Sequence, residues 1–353
     1  MTDQAPNHKR RRKTLSDVAA HAGVSAVTVS RALNRPEMVS EDLRQRVESA
    51  VHELAYIPNQ LASALASSRT NRVGVIVPSL TNGVFGDYLR ALHDVFLPAD
   101  FQVLVLNSGY VPGKEEKAIA TMLGQHPEAI IVSGVDQTGQ ARRMLLQAAI
   151  PVVQTMELTS DPIDIVIGLS QRDAGYTATR HLIDLGHARI GQMSVPLDAR
   201  ARKRLDGYRT AMSEAGFEPF AMSMDGASSF ELGARLLADM MTRQPDMTGL
   251  FAGNDNLALG AMFECQRRGI RVPEDLSIIG FNDLDFSAIA YPSLTTVATP
   301  RYEIGKRSGE IVLEIIRGSG KRPRDRQIDL GYRLIERQSA GTAARNAAAE
   351  HSR

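Results

Sequence analysis

The sequence contains a single cysteine, Cys265, and no tryptophan among its 353 residues. One cysteine excludes an internal disulfide and is typical of proteins from a reducing compartment. No run of 18 apolar residues occurs, so no transmembrane helix and no membrane partner are expected. The basic N-terminal stretch is not followed by an apolar segment, so we expect no signal peptide. These absences predict a cytoplasmic protein.

Motifs of the common enzyme classes are missing as well. The sequence contains no GxSxG, HExxH, Walker or GxGxxG motif. Its eight histidines do not show the spacing of metal ligands. We therefore predict a protein with no catalytic residues, no bound metal and no cofactor.

Positive charge is concentrated at the start of the chain. Residues 1–72 carry 11 Lys and Arg against 7 Asp and Glu, whereas residues 73–353 carry 30 against 33. A basic head on a slightly acidic body indicates an anionic polymer as the partner of the head. Residues 1–13, which include the run KRRRK, are predicted to be a disordered basic arm.

The segment TLSDVAAHAGVSAVTVSRAL, which begins at Thr14, predicts two short helices joined by a tight turn. Thr14 and Asp17 form the pattern of a capping pair, and Gly23 permits a positive φ at the turn. Ser25 is expected to cap the second helix. Such a pair is typical of a helix-turn-helix, whose second helix lies in the DNA major groove, although an ordinary helical hairpin is the alternative. We predict a DNA-binding domain over residues 14–58.

The second helix is predicted to carry the DNA-reading surface. Arg31 is expected to read a guanine through its O6 and N7 atoms. Ala26 and Val27 offer apolar contacts, which suit thymine methyl groups. Hydroxyl side chains suit phosphate contacts, which position a protein without specifying a sequence. The polar members of this surface are Ser25, Thr28, Ser30 and Asn34.

A short segment, YIPNQLASALAS, begins at Tyr56, after the two helices described above. Residues 59–66 are too few to form a stable helix alone, yet they carry Leu65 near their end. A helix that becomes ordered on DNA and inserts a leucine between base steps of the minor groove would explain both features. The alternative is a linker helix with Leu65 packed on its own domain. We predict a hinge helix and linker over residues 59–72, with Asn59 and Leu65 contacting DNA.

From residue 73 onward, short apolar runs alternate with longer amphipathic segments. Near-continuous Val/Ile strands separated by helices are typical of buried parallel sheets, and the segment is long enough for two lobes. The predicted fold class is therefore α/β, with an all-α headpiece, a two-lobed core over residues 73–336 and a flexible tail over residues 337–353. The predicted strands are Val73–Val77, Val103–Leu106, Ala129–Val132, Val152–Gln154, Ile165–Ile167, Ile190–Met193, Gly249–Ala252 and Ile278–Phe281.

These motifs resemble the LacI/GalR family of bacterial transcription regulators. The resemblance is carried by TLSDVAAHAGVSAVTVSRALN, YIPNQLASALAS and VGVIVPSLTN, and it extends from Thr14 to about residue 336. The segments VPSLTN and FAGNDNLALGAMFECQRRGIRVPEDLSIIGFND are most similar to gluconate-utilisation repressors. The resemblance implies a homodimer on a palindromic DNA operator. It also implies a type I periplasmic-binding-protein-like core, with an effector cleft between two lobes and Leu65 as the minor-groove wedge.

The resemblance further implies effector contacts at individual positions. Arg204, in RKRLDGY, matches the arginine that grips the ligand, and Asn254, in GNDNLALG, matches a polar contact. Asn282, in GFND, stands where many relatives have an aspartate, which removes a negative charge from the cleft. The other positions that the family places near the ligand are Ser79, Asn82, Phe85, Thr299 and Arg301.

Two arginines in one cleft, Arg204 and Arg301, predict an anionic ligand. Guanidinium groups bind carboxylate or phosphate in a bidentate manner. We therefore expect an acidic sugar, such as gluconate, a ketogluconate or 6-phosphogluconate, which releases a repressor from its operator. The alternative for Arg301 is an ion pair with Glu303. The neighbouring cations are expected to lie in a solvated loop; they are Arg200, Arg202 and Lys203.

Other functions stay open at this point. An effector of the opposite sign, which acts as a corepressor or through activation, is the alternative, since the family includes such regulators. An enzyme acting on sugar acids is disfavoured by the missing motifs. A transport-type sugar-binding protein shares the core but not the basic headpiece. We expect a nucleoid-associated bacterial protein, and the sequence leaves open whether it is a dimer or a tetramer.

Overall fold

The computed structural model of the chain describes residues 13–57, 69–195, 199–318 and 320–343. The chain divides into two compact units, Met1–Thr70 and Asn71–Arg353. The first strand of the second unit begins at Arg72, one residue before the predicted start of the core.

The N-terminal unit, here called the headpiece, is helical in its described residues. Its helices are α1 (Leu15–Ala22), α2 (Ala26–Asn34) and α3 (Glu41–Glu53), with a 3-10 turn at Pro36–Met38. Their apolar faces meet in one small core, as expected for amphipathic helices. The buried members of this core are Val18, Ala19, Ala22, Val29, Ala32, Val47, Ala50 and Tyr56.

Local side-chain chemistry fixes the turn between α1 and α2. The backbone N–H of Thr14 donates to Asp17 Oδ2 at 2.7 Å, and the N–H of Asp17 donates to Thr14 Oγ1 at 3.3 Å. Gly23 ends α1 with a φ of 66°, and Ser25 Oγ accepts from the N–H of Thr28 at 3.1 Å. The predicted capping pair, positive φ and helix cap are therefore confirmed.

The second unit contains two six-stranded sheets. In the described residues, strands β1 to β12 are, in order, Arg72–Val77, Gln102–Asn107, Ala129–Ser133, Val152–Thr155, Ile165–Gly168, Ile190–Ser194, Phe220–Ser223, Gly249–Ala252, Ser277–Asn282, Thr295–Ala298, Gln327–Asp329 and Arg333–Ile335. The strand order is β11-β5-β4-β3-β1-β2 in lobe 1 and β12-β10-β9-β8-β6-β7 in lobe 2. The pairs are parallel except β10 with β12.

Helices cover both sheets. Helices α4 to α11 are, in order, Val84–Phe96, Pro112–Leu123, Gly139–Gln147, Gln171–Asp184, Ala199–Glu214, Phe230–Arg243, Asp255–Arg268 and Arg301–Arg317. Helices α4, α5, α6 and α11 belong to lobe 1, and α7 to α10 belong to lobe 2. The chain passes between the lobes three times, after β5, after β10 and after β11. The predicted α/β class with a two-lobed core of parallel sheets is confirmed.

All eight predicted strands lie within observed strands, whereas β7, β10, β11 and β12 were missed. Strands β7, β11 and β12 are three or four residues long and are partly exposed, so they carry little of the apolar signal of a buried strand. Strand β10 is mostly buried, but its sequence is TTVA, and the two threonines interrupt the apolar run that would have predicted a strand.

The predicted flexible tail begins too early, and this boundary is wrong. Ser339 is fully buried; its hydroxyl donates to the Ile278 carbonyl at 2.6 Å and accepts from the N–H of Thr295 at 2.8 Å. The N–H of Ala343 donates to the Leu185 carbonyl at 2.9 Å. Backbone and hydroxyl hydrogen bonds hold residues 337–343 on lobe 2, so no apolar pattern marks the segment.

Candidate nucleic-acid interface and effector cleft

One side of α2 combines a cation with an apolar side chain. Val27 is 67% exposed, and Arg31 is exposed one helical turn later on the same face. At the start of the helix, the hydroxyl groups of Ser25 and Thr28 lie 2.8 Å apart. A guanidinium, an apolar group and hydroxyls are the groups that read a guanine edge, a thymine methyl and a phosphate.

The structure describes only some of the other predicted members of this surface. Ala26 is half-buried and packs on the headpiece core, so the expectation that it faces outward is wrong; as the first residue of α2, it lies against the turn from α1. Ser30 is half-buried. Asn34 is the last residue of α2. Asn59, Leu65 and residues 1–12 lie outside the described residues.

The headpiece cations divide into two groups. Arg46 donates to the Ala22 carbonyl at 2.6 Å and so closes the end of α1, while Arg44 pairs with Glu41 at 2.7 Å. Within the described part of the chain, Lys13, Arg31 and Arg35 make no ion pair, and all three are exposed. The cations suited to phosphate contact are therefore a different set from those that hold the headpiece together.

A cleft of about 660 Å³, including its open mouth, lies between the two lobes of the second unit. Its walls come from the carboxyl ends of strands in both sheets, where open α/β sheets bind ligands. The predicted effector residues that line it are Asn82, Phe85, Arg204, Asn254, Asn282 and Thr299.

Ser79 supports the cleft without lining it. Its hydroxyl accepts from the backbone N–H groups of Thr81 at 3.2 Å and Asn82 at 3.1 Å, which shapes the turn after β1. The Asn82 side chain accepts from the N–H of Val84 at 3.1 Å and donates to the Tyr110 hydroxyl at 3.2 Å. Ser79 is not among the lining residues and its hydroxyl shapes the turn, so the ligand contact at Ser79 stays a prediction.

Arg204 enters the cleft from α8. Its Nη1 donates to Gln171 Oε1 at 2.5 Å, and its guanidinium lies 4.6 Å above the Phe281 ring. Gly207 lets α7 approach α8 closely, since a Cβ at that position would collide with the Arg172 carbonyl of α7. The packed helices and the ring beneath it hold the guanidinium in place.

Arg301 does not line the cleft, so its predicted ligand contact is wrong. The side chain is buried; it donates to the carbonyls of Asn282 and Asp283 and pairs with Asp87 Oδ2 at 3.1 Å. The expected alternative, a pair with Glu303, is not the ion pair it forms. Arg301 begins α11, and α11 packs on α4, which carries Asp87. This packing places the guanidinium between the lobes, bonded to carbonyls at the end of β9 in lobe 2 and paired with Asp87 of lobe 1.

Arg200 overturns the expectation of a solvated loop. It lies in the first turn of α8, is 8% exposed and lines the cleft. Its Nη1 donates to Ser133 Oγ at 3.0 Å, and its guanidinium is 5.9 Å from the Phe85 ring centroid. The segment is helical, and its inner face meets lobe 1, which is why Arg200 is buried.

The two neighbouring cations also contact lobe 1. Arg202 is 62% exposed and lies 3.8 Å from Asp136. Lys203 pairs with Glu157 at 3.2 Å, and Glu157 is nearly inaccessible. Burial raises the pKa of the Glu157 carboxyl above its usual range, although Lys203 opposes this shift. The start of α8 therefore forms an ionic seam with lobe 1 beside the cleft.

Asn254 and Asp255 hold the lobe 2 wall. Asn254 Oδ1 accepts from the N–H of Leu257 at 3.1 Å and from the Ser228 hydroxyl at 2.7 Å, so this residue both caps α10 and lines the cleft. Asp255 is fully buried, which raises its carboxyl pKa, and it accepts from Thr296 Oγ1 at 2.6 Å. It also accepts from the backbone N–H of Leu284 at 2.7 Å.

Several polar lining residues escaped the sequence reasoning. Tyr110 follows β2, Gln171 follows β5, and Ser194 ends β6. Each stands near the carboxyl end of a predicted strand, so the strand-end rule contained the signal to find them. Among the described lining residues none is Asp or Glu, and two are arginines. Guanidinium, amide and hydroxyl groups together suit a polyhydroxylated anion.

The described ranges lack two further kinds of feature. They contain no helix with the length and apolar character needed to cross a bilayer. They also contain no group of three or more His, Cys, Asp or Glu side chains arranged to hold a metal ion.

Two segments of the chain match known family models. Residues 14–59 match the model of bacterial regulatory proteins of the lacI family, and residues 179–340 match a periplasmic binding protein-like domain. The HTH-type transcriptional regulator GntR of Pseudomonas aeruginosa is 40% identical over 330 residues, which are 93% of this chain and 96% of that protein.

Solved structures agree over nearly the whole length. A LacI-family transcriptional regulator from Silicibacter pomeroyi is 34% identical with a TM-score of 0.88, over 93% of this chain and 99% of that one. The lac repressor dimer bound to operator and the anti-inducer ONPF is 28% identical with a TM-score of 0.79, over 95% of this chain and 100% of that one.

Proposed function

Since the chain belongs to the lacI family of bacterial regulatory proteins and is a DNA-binding transcription regulator, we propose that it represses sugar-acid catabolism genes and is released from its operator by a small sugar acid. The observation that carries the effector class is the pair of guanidinium groups, Arg200 and Arg204, that line the cleft. Similarity to regulators named GntR supports the gluconate type.

The headpiece is proposed to place α2 in the DNA major groove. Arg31 contacts a guanine and Val27 a thymine methyl, because these two side chains project from the exposed face. Ser25 and Thr28 lie near phosphates at the start of the helix. The proposed hinge contacts, Asn59 and the Leu65 wedge, complete the surface, with Ser30 and Asn34 at its margin.

A homodimer on a palindromic operator is proposed as the DNA-bound form, because the similar lac repressor is a dimer on its operator. On lobe 2 an exposed aromatic patch supports this assignment. The Phe230 ring lies 6.1 Å from that of Phe263 and 5.7 Å from that of Phe286, and Ile289 and Tyr291 beside them are 84% and 85% exposed. A second copy of the chain is the proposed occupant of this patch.

The effector is proposed to be gluconate, a ketogluconate or 6-phosphogluconate. Arg204 and Arg200 bind its anionic group or groups, while Asn82, Asn254 and Asn282 meet its hydroxyls. Phe85 and Thr299 complete the walls of the cleft around the ligand. A ligand that binds one arrangement of the lobes more tightly shifts the population towards it, and the headpieces lose the geometry that fits DNA.

A titration tests both sites at once. Fluorescence anisotropy of a labelled operator, with D-gluconate added, should show operator affinity falling about 5–150-fold at saturation. D-glucitol, which has the same carbon chain without the carboxylate, should have no effect. Unchanged operator affinity at saturating D-gluconate, 2-keto-D-gluconate and 6-phosphogluconate would contradict the effector assignment.

The effect of the ligand on operator affinity could also have the opposite sign, by corepression or by activation. Corepression or activation would appear in the same titration as tighter binding with ligand. We further propose that the protein has no enzymatic activity and acts on DNA in the cytoplasm. Incubation of saturating D-gluconate with the protein should leave the sugar acid chemically unchanged by NMR.

A further inference from the structure

Two arginines one helical turn apart line the same cleft, yet their surroundings differ. Arg204 stacks on Phe281 of lobe 2 and bonds to Gln171, which directly follows the crossover after β5. Groups beside a crossover move little when two lobes rearrange, because the crossovers are the pivots. Arg204 therefore sits where it contributes binding in either lobe arrangement.

Arg200 instead reaches from one lobe to the other. It belongs to α8 of lobe 2, but its Nη1 donates to Ser133 Oγ at 3.0 Å, at the carboxyl end of β3 in lobe 1. The ring nearest its guanidinium, that of Phe85, also belongs to lobe 1. The same guanidinium lines the cleft, so a ligand anion and lobe 1 meet on one side chain.

The position of Arg200 is electrostatically costly. A cation in the first turn of a helix opposes the helix dipole, and an arginine that is only 8% exposed has lost most of its hydration. Its charge acts on lobe 1, since it opposes the burial-driven rise in the pKa of Glu115. Departures of this kind from local preference tend to mark functional positions.

We propose that Arg200 is the residue that couples the bound anion to lobe 1, whereas Arg204 supplies affinity. The inference rests on the proposed function and assigns distinct roles within its cleft. When an anion binds, Arg200 directs part of its guanidinium to the ligand, which changes its interaction with Ser133. The ligand then has different free energies in the two lobe arrangements, as a population shift requires. Ser133 is a positioning residue in this coupling.

The decisive quantity is the ratio of operator Kd with saturating D-gluconate to operator Kd without it. At saturation this ratio does not depend on how tightly the ligand binds, so it separates coupling from affinity. Gluconate Kd is measured by calorimetry on the full chain, and operator Kd by anisotropy.

Four variants give the expected pattern. Arg200→Gln should bring the ratio close to one, and Ser133→Ala should lower it with gluconate Kd nearly unchanged. Arg204→Gln should raise gluconate Kd about tenfold or more, yet keep the wild-type ratio once gluconate is raised to saturation. Arg209→Gln is the matched control from the same helix, because Arg209 is exposed and pairs with Asp206 of its own helix at 3.9 Å, and its ratio should equal that of wild type.

Three outcomes would overturn the assignment. A wild-type ratio in Arg200→Gln would refute it while leaving the proposed function intact. Equal losses in Arg200→Gln and Arg209→Gln would show a general effect of charge on α8. A ratio of one in the wild-type protein with every sugar acid removes the effector proposal and this inference together. Should Arg200→Gln fail to fold, the ratios of Arg200→Lys and Ser133→Ala test the assignment instead. Both ratios should be lower than that of wild type; the lysine keeps the charge but loses the planar fork.

Discussion

The headpiece and the cleft present their functional groups in opposite ways. The headpiece has a small core, and the face of it that we propose to lie in the major groove belongs to a single nine-residue helix, Ala26–Asn34. The cleft takes lining residues from loops and helices spread from Asn82 to Thr299. A function carried on one helix follows from local sequence, whereas a function assembled at strand ends depends on how the sheets stack.

Removal of the headpiece is the most drastic way to test this division. A chain of residues 71–353 should lose measurable operator binding, because the surface of α2 is gone. It should retain gluconate binding with a Kd within about twofold of wild type, since the cleft lies entirely in the second unit. Anisotropy and calorimetry provide the two measurements, and loss of gluconate binding would show that the units are not independent.

Gly207→Ala tests whether the cleft depends on the close approach of α7 and α8. The added Cβ would collide with the Arg172 carbonyl, so we expect a loss of about 3 kcal/mol in the free energy of unfolding, together with weaker gluconate binding. Urea unfolding followed by circular dichroism measures the loss.

Gly86→Ala is the matched control for that substitution. Gly86 lies inside α4 with no atom within 4 Å of the added Cβ, so alanine should raise stability by about 0.5–1 kcal/mol. Equal effects of the two substitutions would contradict the role assigned to the contact between α7 and α8.

Arg31→Ala probes the reading surface alone. Loss of a guanine contact should cost about 1–3 kcal/mol of operator binding and relax base preference at one position of each half-site. Gluconate binding should not change. Arg44→Ala is the comparison, because Arg44 pairs with Glu41 and should alter operator affinity by less than about 0.5 kcal/mol. Similar losses in both variants would mean that only net charge matters.

The smallest expected effect concerns pH and the seam beside the cleft. Burial raises the pKa of folded Glu157 above its unfolded value, so the folded state binds the proton more tightly and the contribution of Glu157 to stability declines as pH rises through that interval. The interval begins near the ordinary value of 4.5 and ends at the raised folded pKa. Glu157→Gln should remove this decline.

Chemical unfolding at a series of pH values measures the difference. The stability of wild type relative to Glu157→Gln should fall with rising pH in that interval and be level on either side. A parallel pH profile for wild type and Glu157→Gln would contradict the assignment.

The accuracy of the sequence-based predictions follows the same division. Thr14, Asp17, Gly23 and Ser25 act within a few residues of one another, so caps and turn were predictable from spacing. Arg200 and Arg301 were misassigned because both lie far in sequence from the groups that orient them, Ser133 and Asp87. Ser339 was misjudged because hydrogen bonds, rather than apolar contacts, bind its segment.

Local sequence patterns were enough to predict the helical headpiece, its exposed arginine, the central strands of both sheets and the α/β class, because caps, turns and apolar runs act over short distances. Which arginines face the cleft depends on contacts between segments that are distant in the chain, and it could not be predicted in this way. Helix packing places Arg301 between the Asn282 carbonyl of lobe 2 and Asp87 of lobe 1, and it brings Arg200 against Ser133. The direction of a long side chain is set by such partners, which local spacing does not encode.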